Sequence, residues 1–147
     1  MFNPGLVYIA GTAGKMVVTS AISPIVSSTI ALITSIRSQT SGTVSLQECI
    51  SKHDITCTLQ TIEATMLALK CEKEPLKTAA GHVIQCAEQI HQLLTRIADI
   101  TASHYAGYVS RWRTLILDSE IAQLESLMLT LQKRFKLMCE IRSVVEM

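Results

Sequence analysis

Three stretches of the chain repeat apolar residues at alternating intervals of four and three. The first is Ile55, Leu59, Ile62, Met66 and Leu69. The second is Leu76, Ala80, Val83, Ala87, Ile90, Leu94 and Ile97. The third is Leu117, Ile121, Leu124, Met128, Leu131, Phe135 and Met138. This spacing draws one apolar stripe along one side of an α-helix. It is also the seam of a left-handed bundle, so the three helices are expected to pack nearly antiparallel. Boundary signals agree. Ser45-Leu46-Gln47-Glu48 reads as a capping box opening a helix that runs to about Glu72. Glu74-Pro75 breaks the chain and suits the first turn of the next helix, which fades between Ser103 and Gly107. Asp118 or Ser119 is placed to cap the last helix.

The first 44 residues follow a different pattern. They contain no acidic side chain and only two basic ones, Lys15 and Arg37. Met16 to Ile36 is an uncharged run of 21 residues, long enough as a helix to cross a bilayer core. Eight of those residues are Ser or Thr, and Gly5, Gly11 and Gly14 precede them. Hydroxyls and glycines weaken a membrane span, although Ser and Thr can bond back to the helix carbonyls. The abundance of β-branched residues allows a strand, but no hairpin turn or second strand run accompanies it. The segment from Gly5 to Ile36 is therefore read as helix, with Pro24 as a kink or break. Arg37 to Val44 is polar, contains Gly42 and reads as a linker. The expected fold is all-α: a four-helix-type bundle, with one apolar N-terminal helix and three amphipathic helices. Residues 1–44 form the apolar element and linker, residues 45–147 the amphipathic bundle, and together they make one domain.

Composition narrows the function classes. The 147 residues carry a net charge of +1, so nothing pulls the whole protein toward nucleic acid. Aromatic residues are only 4% of the chain, which disfavours base-stacking surfaces and β-sandwiches. Five cysteines, odd in number and without short-loop spacing, read as reduced intracellular thiols. Lys15 interrupts the early apolar stretch and no basic region precedes it, so a secretory signal is not expected. The expected location is intracellular, cytoplasmic or membrane-associated.

Cys49, His53 and Cys57 on one helix, with His82 and Cys86 on the next, are the sharpest chemical constellation. Residues at i and i+4 share a helix face, so two such pairs could enclose a tetrahedral zinc ion. Cysteine is also a common small core residue, and Cys49 and Cys57 are rotated about 80° apart around a helix. The reading is accordingly no metal, no cofactor and no enzyme. No G-x-S-x-G elbow, phosphate-binding glycine loop or H-E-x-x-H motif is present. Basic clusters occur at Arg111 and Arg113 beside Trp112, and at Lys133, Arg134 and Lys136. Both are read as solvated faces; Lys15, Arg111 and Arg113 are secondary candidates for lipid headgroups.

The order of elements resembles the HeLo and HeLo-like domains. These are helical bundles at the N-termini of fungal signalling proteins and, in related form, of the mixed-lineage kinase-like pseudokinase. The matching stretches are GLVYIAGTAG (Gly5 to Gly14), DITCTLQTIEATMLALK (Asp54 to Lys70), the helix containing Cys86, and RWRTLILDSEIAQLESLMLTL (Arg111 to Leu131). The resemblance implies a bundle that oligomerises and attacks membranes, as in cell-death signalling. The expected function is non-enzymatic: oligomerisation and membrane association through the apolar N-terminal segment. Ile9, Met16, Val17, Ile22, Ile25, Ile30 and Ile33 are the expected contact residues. The alternative is a structural assembly protein, such as a small coat or minor capsid subunit, using the same segment between subunits. The expected partners are further copies of the chain, other protein subunits and membrane lipid, without nucleic acid.

Overall fold

The structure, a computed structural model, describes residues 20–38, 44–69, 73–106 and 116–145. Five helices occur among them: α1 (Ile22–Ser38), α2 (Val44–Lys52), α3 (Ile55–Leu67), α4 (Glu74–Ala106) and α5 (Asp118–Val145). No strand occurs among the described residues. The architecture is an all-α bundle built around α4.

The apolar stripes account for the packing. All five stripe residues around α3 and all seven on α4 are buried. On α5, Leu117, Leu124, Met128, Leu131 and Met138 are buried, and Ile121 and Phe135 pack partly covered against them. Helix α4 also buries Ala79, Ile84, Cys86 and Leu93. Its apolar arc is wider than one stripe because it touches α5 on one side and α1 on another. Three cross-links give the direction of the α4–α5 pair. The Arg134 guanidinium donates to the His82 carbonyl at 3.1 Å. The Cys86 thiol donates to the Leu127 carbonyl at 3.4 Å, and Arg96 donates to Gln123 at 2.7 Å. Positions rise along α4 as they fall along α5, so the two helices are antiparallel.

The segment expected as one helix from Ser45 to about Glu72 is two helices, with the break at His53–Asp54. Asp54 adopts the left-handed conformation, φ 46° and ψ 52°, which Asp tolerates better than most residues. Its N–H donates to the Ser51 carbonyl, three residues back rather than four. The cause is a phase slip in the apolar pattern. Ile50 and Ile55 are five residues apart, which would put them about 140° apart on a continuous helix. The break turns both into the core, where each is fully buried. The helix also ends earlier than expected, at Leu67, with Ala68 and Leu69 closing onto the Thr65 and Met66 carbonyls.

Other boundaries shift by a residue or two. Helix α2 starts at Val44, so Ser45 sits in its first turn. The Leu117 carbonyl accepts from Ile121 N–H, making Leu117 the residue that opens α5. Asp118 and Glu120 then lie in the first turn, where negative charge suits the helix dipole. Helix α4 opens at Glu74 with Pro75 in its first turn, as the sequence requires. The chain also turns at Ala21, before Pro24 in the first turn of α1. A proline there cannot donate to the carbonyl of Ser20, four residues earlier, which favours a kink or break at this point.

Helix α1 buries Ile22, Ile25, Val26, Thr29, Ile33 and Ile36, and packs on α4 and α3. The Thr29 hydroxyl donates to the Ile25 carbonyl at 2.6 Å, and Thr34 to Ile30 at 2.9 Å. Back-bonding of this kind lets hydroxyls sit in an apolar helix. Within α4, a Cβ added at Gly81 would meet nothing within 4 Å. Alanine there removes backbone freedom from the unfolded chain at no steric cost. Gly81→Ala is expected to raise stability by about 0.5–1 kcal/mol, read as a higher urea midpoint.

Candidate functional site at the α2–α5 contact

Several titratable groups meet where α2 packs on α5. His53 closes α2, its N–H donating to the Cys49 carbonyl one turn earlier at 3.1 Å. Its Nε2 lies 3.9 Å from Glu125 Oε2 on α5, with side chains 12% and 43% exposed. That separation exceeds a hydrogen bond, and the buried Nε2 has no hydrogen-bond partner among the described residues. The His53 carbonyl accepts from the Thr58 hydroxyl at 3.4 Å, tying the residue across the break to α3.

Cys49 is buried beside this pair. Burial pushes its thiol up, the Glu125 carboxylate pushes it further, and Lys52 pulls it partly back. Cys86 is pushed up by burial and pulled down in part by Arg134. Nucleophilic cysteines need the opposite shift. Both thiols are therefore held neutral, and the cluster offers a histidine–carboxylate pair without an activated nucleophile. The outer side of α2, with Val44, Gln47, Glu48, Ser51 and Lys52, lines an open depression of mixed charge.

The five metal-ligand candidates do not converge. Cys49 and His53 lie toward α5, Cys57 and His82 are exposed, and buried Cys86 donates to Leu127. Among the described residues no group of three or more His, Cys, Asp or Glu could hold a metal ion. Of the contact candidates, Ile22, Ile25 and Ile33 are buried in the protein's own core, and Ile30 packs at its edge. Ile9, Lys15, Met16, Val17, Arg111 and Arg113 lie outside the described residues. Within the second basic cluster, Lys133 and Lys136 are exposed, whereas Arg134 is half-buried and bonded to His82. Glu125 was missed by sequence reasoning. It is one of many helix-surface acids, and only the α2–α5 contact singles it out.

The thiols give a direct check. Exposed Cys57 is expected to react readily with a disulfide reagent at pH 8, with buried Cys49 and Cys86 at least about tenfold slower. Peptide mapping after timed labelling reads this order. The shifts also carry a stability sign. A thiol raised in the folded state holds its proton more tightly there than in the unfolded chain. The contribution is full below the ordinary value of 9.0 and is lost as pH rises through the folded value. Stability is thus expected to fall as pH climbs above 9.0.

Compared with protein-family models, with curated proteins and with solved structures, the chain matches none.

Proposed function

We propose that the protein is a non-enzymatic association module, a helical bundle that oligomerises and engages membranes through its apolar N-terminal segment. The supporting observation is the state of α1. The apolar element is docked as a helix with one face buried, while Ser27, Ser28, Ala31, Thr34 and Ser35 remain exposed. It continues toward the N-terminus into residues 1–19, whose single charge is Lys15. A bundle that keeps such an element docked on its surface can release it to a bilayer or to a neighbouring subunit. The resemblance to HeLo-like domains motivates the bilayer arm. The neutral, buried thiols at Cys49 and Cys86 support the non-enzymatic part. An intracellular site, cytoplasmic or at a membrane surface, belongs to the same reading.

One observation favours the alternative, a structural assembly subunit that uses this segment between copies. No helix among the described residues is long and apolar enough to cross a membrane, and the buried face of α1 is already satisfied by protein. Flotation of the full chain with anionic and neutral liposomes, beside light scattering without lipid, separates the two. Flotation is expected under the first reading. Large particles of defined size with no flotation at any assembly state give the second, and a monomer that ignores lipid overturns both.

A further inference from the structure

The outer side of α5 carries Leu129, Leu137 and Val144 at 53%, 50% and 70% exposure. Lys133, Lys136 and Glu140 lie between them, all exposed. At 100° per residue these six side chains fall within about 100° of arc, opposite the core stripe. None of the three charges has a hydrogen bond or ion pair among the described residues. One helix thus presents two faces, one filled by the core and one left open.

The chemistry along the open face is self-complementary. Two antiparallel copies of a helix, related by a two-fold axis, oppose residues whose numbers have a constant sum. With the axis between Lys136 and Leu137, Leu129 meets Val144 of the second copy, Lys133 meets Glu140 and Lys136 lies against Leu137. The Lys133–Glu140 contact occurs twice by symmetry, and the Lys136 stem covers Leu137 of the second copy. Shifting the axis to Lys133 would instead set that lysine against itself. The protein's own residues 1–19 contain no acid that could answer Lys133 and Lys136.

We propose that the outer face of α5 is a homodimer interface, an antiparallel α5–α5 pair centred between Lys136 and Leu137. This deepens the self-association part of the proposed function and does not depend on where residues 1–19 bind. The paired stretch, Leu129 to Val144, is about 23 Å long. One helix pair of that length buries less than a standard interface of about 1,600 Å². The dimer is therefore weak and concentration-dependent.

Charge reversal in the full chain tests it, with dissociation constants from sedimentation equilibrium and folding checked by circular dichroism. Lys133→Glu and Glu140→Lys each set like charges against each other twice and should weaken dimerisation about tenfold or more. The double variant exchanges the signs and should restore the parental constant. Both changes are at exposed positions, so each variant is expected to fold. A parent that stays monomeric at every concentration overturns the interface, as does self-association that neither single variant weakens. Single variants that weaken dimerisation without rescue in the double variant overturn the register. Liposome flotation reports on the N-terminal segment and not on this face, so the two readings fail separately.

Discussion

Ile33→Glu is expected to undock α1 and cost about 3 kcal/mol or more. Ile33 is buried on the face that α1 turns to α4 and α3, inside a continuous apolar cluster. A carboxylate there must leave water, stay protonated at a cost, or pull the helix out of the core. The last course is open to α1 because it is the first described helix and packs on the bundle from one side. Urea unfolding followed by circular dichroism should show the loss as a lower midpoint or as an early separate transition. Ile33→Val removes one methylene and should cost only about 1 kcal/mol. The same variant bears on function. An undocked α1 exposes the apolar element, so Ile33→Glu should float with liposomes or self-associate more than the parent. Parental stability and parental lipid behaviour together would show that α1 is not held by the core.

The second large effect is Leu94→Ala. Leu94 is fully buried near the middle of α4, the helix that contacts both α1 and α5. Truncation removes apolar contact and leaves a cavity between long helices that can close only partly. The expected loss is about 2–5 kcal/mol, with an unchanged denaturant slope. Gln92→Ala, two residues away on the exposed side, should stay within about 0.5 kcal/mol. Equal effects at the two positions would contradict the burial pattern of α4.

Much of the fold was legible because the amphipathic helices have to bury a face. The stripes through Ile55 to Leu69 and Leu76 to Ile97 mark buried positions residue by residue, since a 4,3 repeat has one geometric solution on a helix. Partial covering of Ile121 and Phe135 was not legible. Both belong to the stripe on α5, but their exposure depends on how far the neighbouring helices extend beside them. The break at Asp54 was half legible. The five-residue step from Ile50 to Ile55 was in the sequence, but the conformation that absorbs it was not. For the candidate site, spacing along one helix brought out Cys49 and His53, while Glu125 and the His82 carbonyl's bond to Arg134 arise between distant segments.

By itself the sequence determined the helical periods, the proline and acidic boundaries, and the charge asymmetry between the apolar first 44 residues and the rest. These are local properties, set by side-chain type and by the 3.6-residue turn. Tertiary structure alone decided where the apolar element goes. It sent Ile22 to Ile36 against α4 and α3 rather than leaving them free, because the wide apolar arc of α4 needed a second cover beyond α5. It also decided which face of α5 is spent on the core and which, with Leu129, Leu137 and Val144, is left exposed. Burial is a property of neighbours, and neighbours are fixed only when the helices pack.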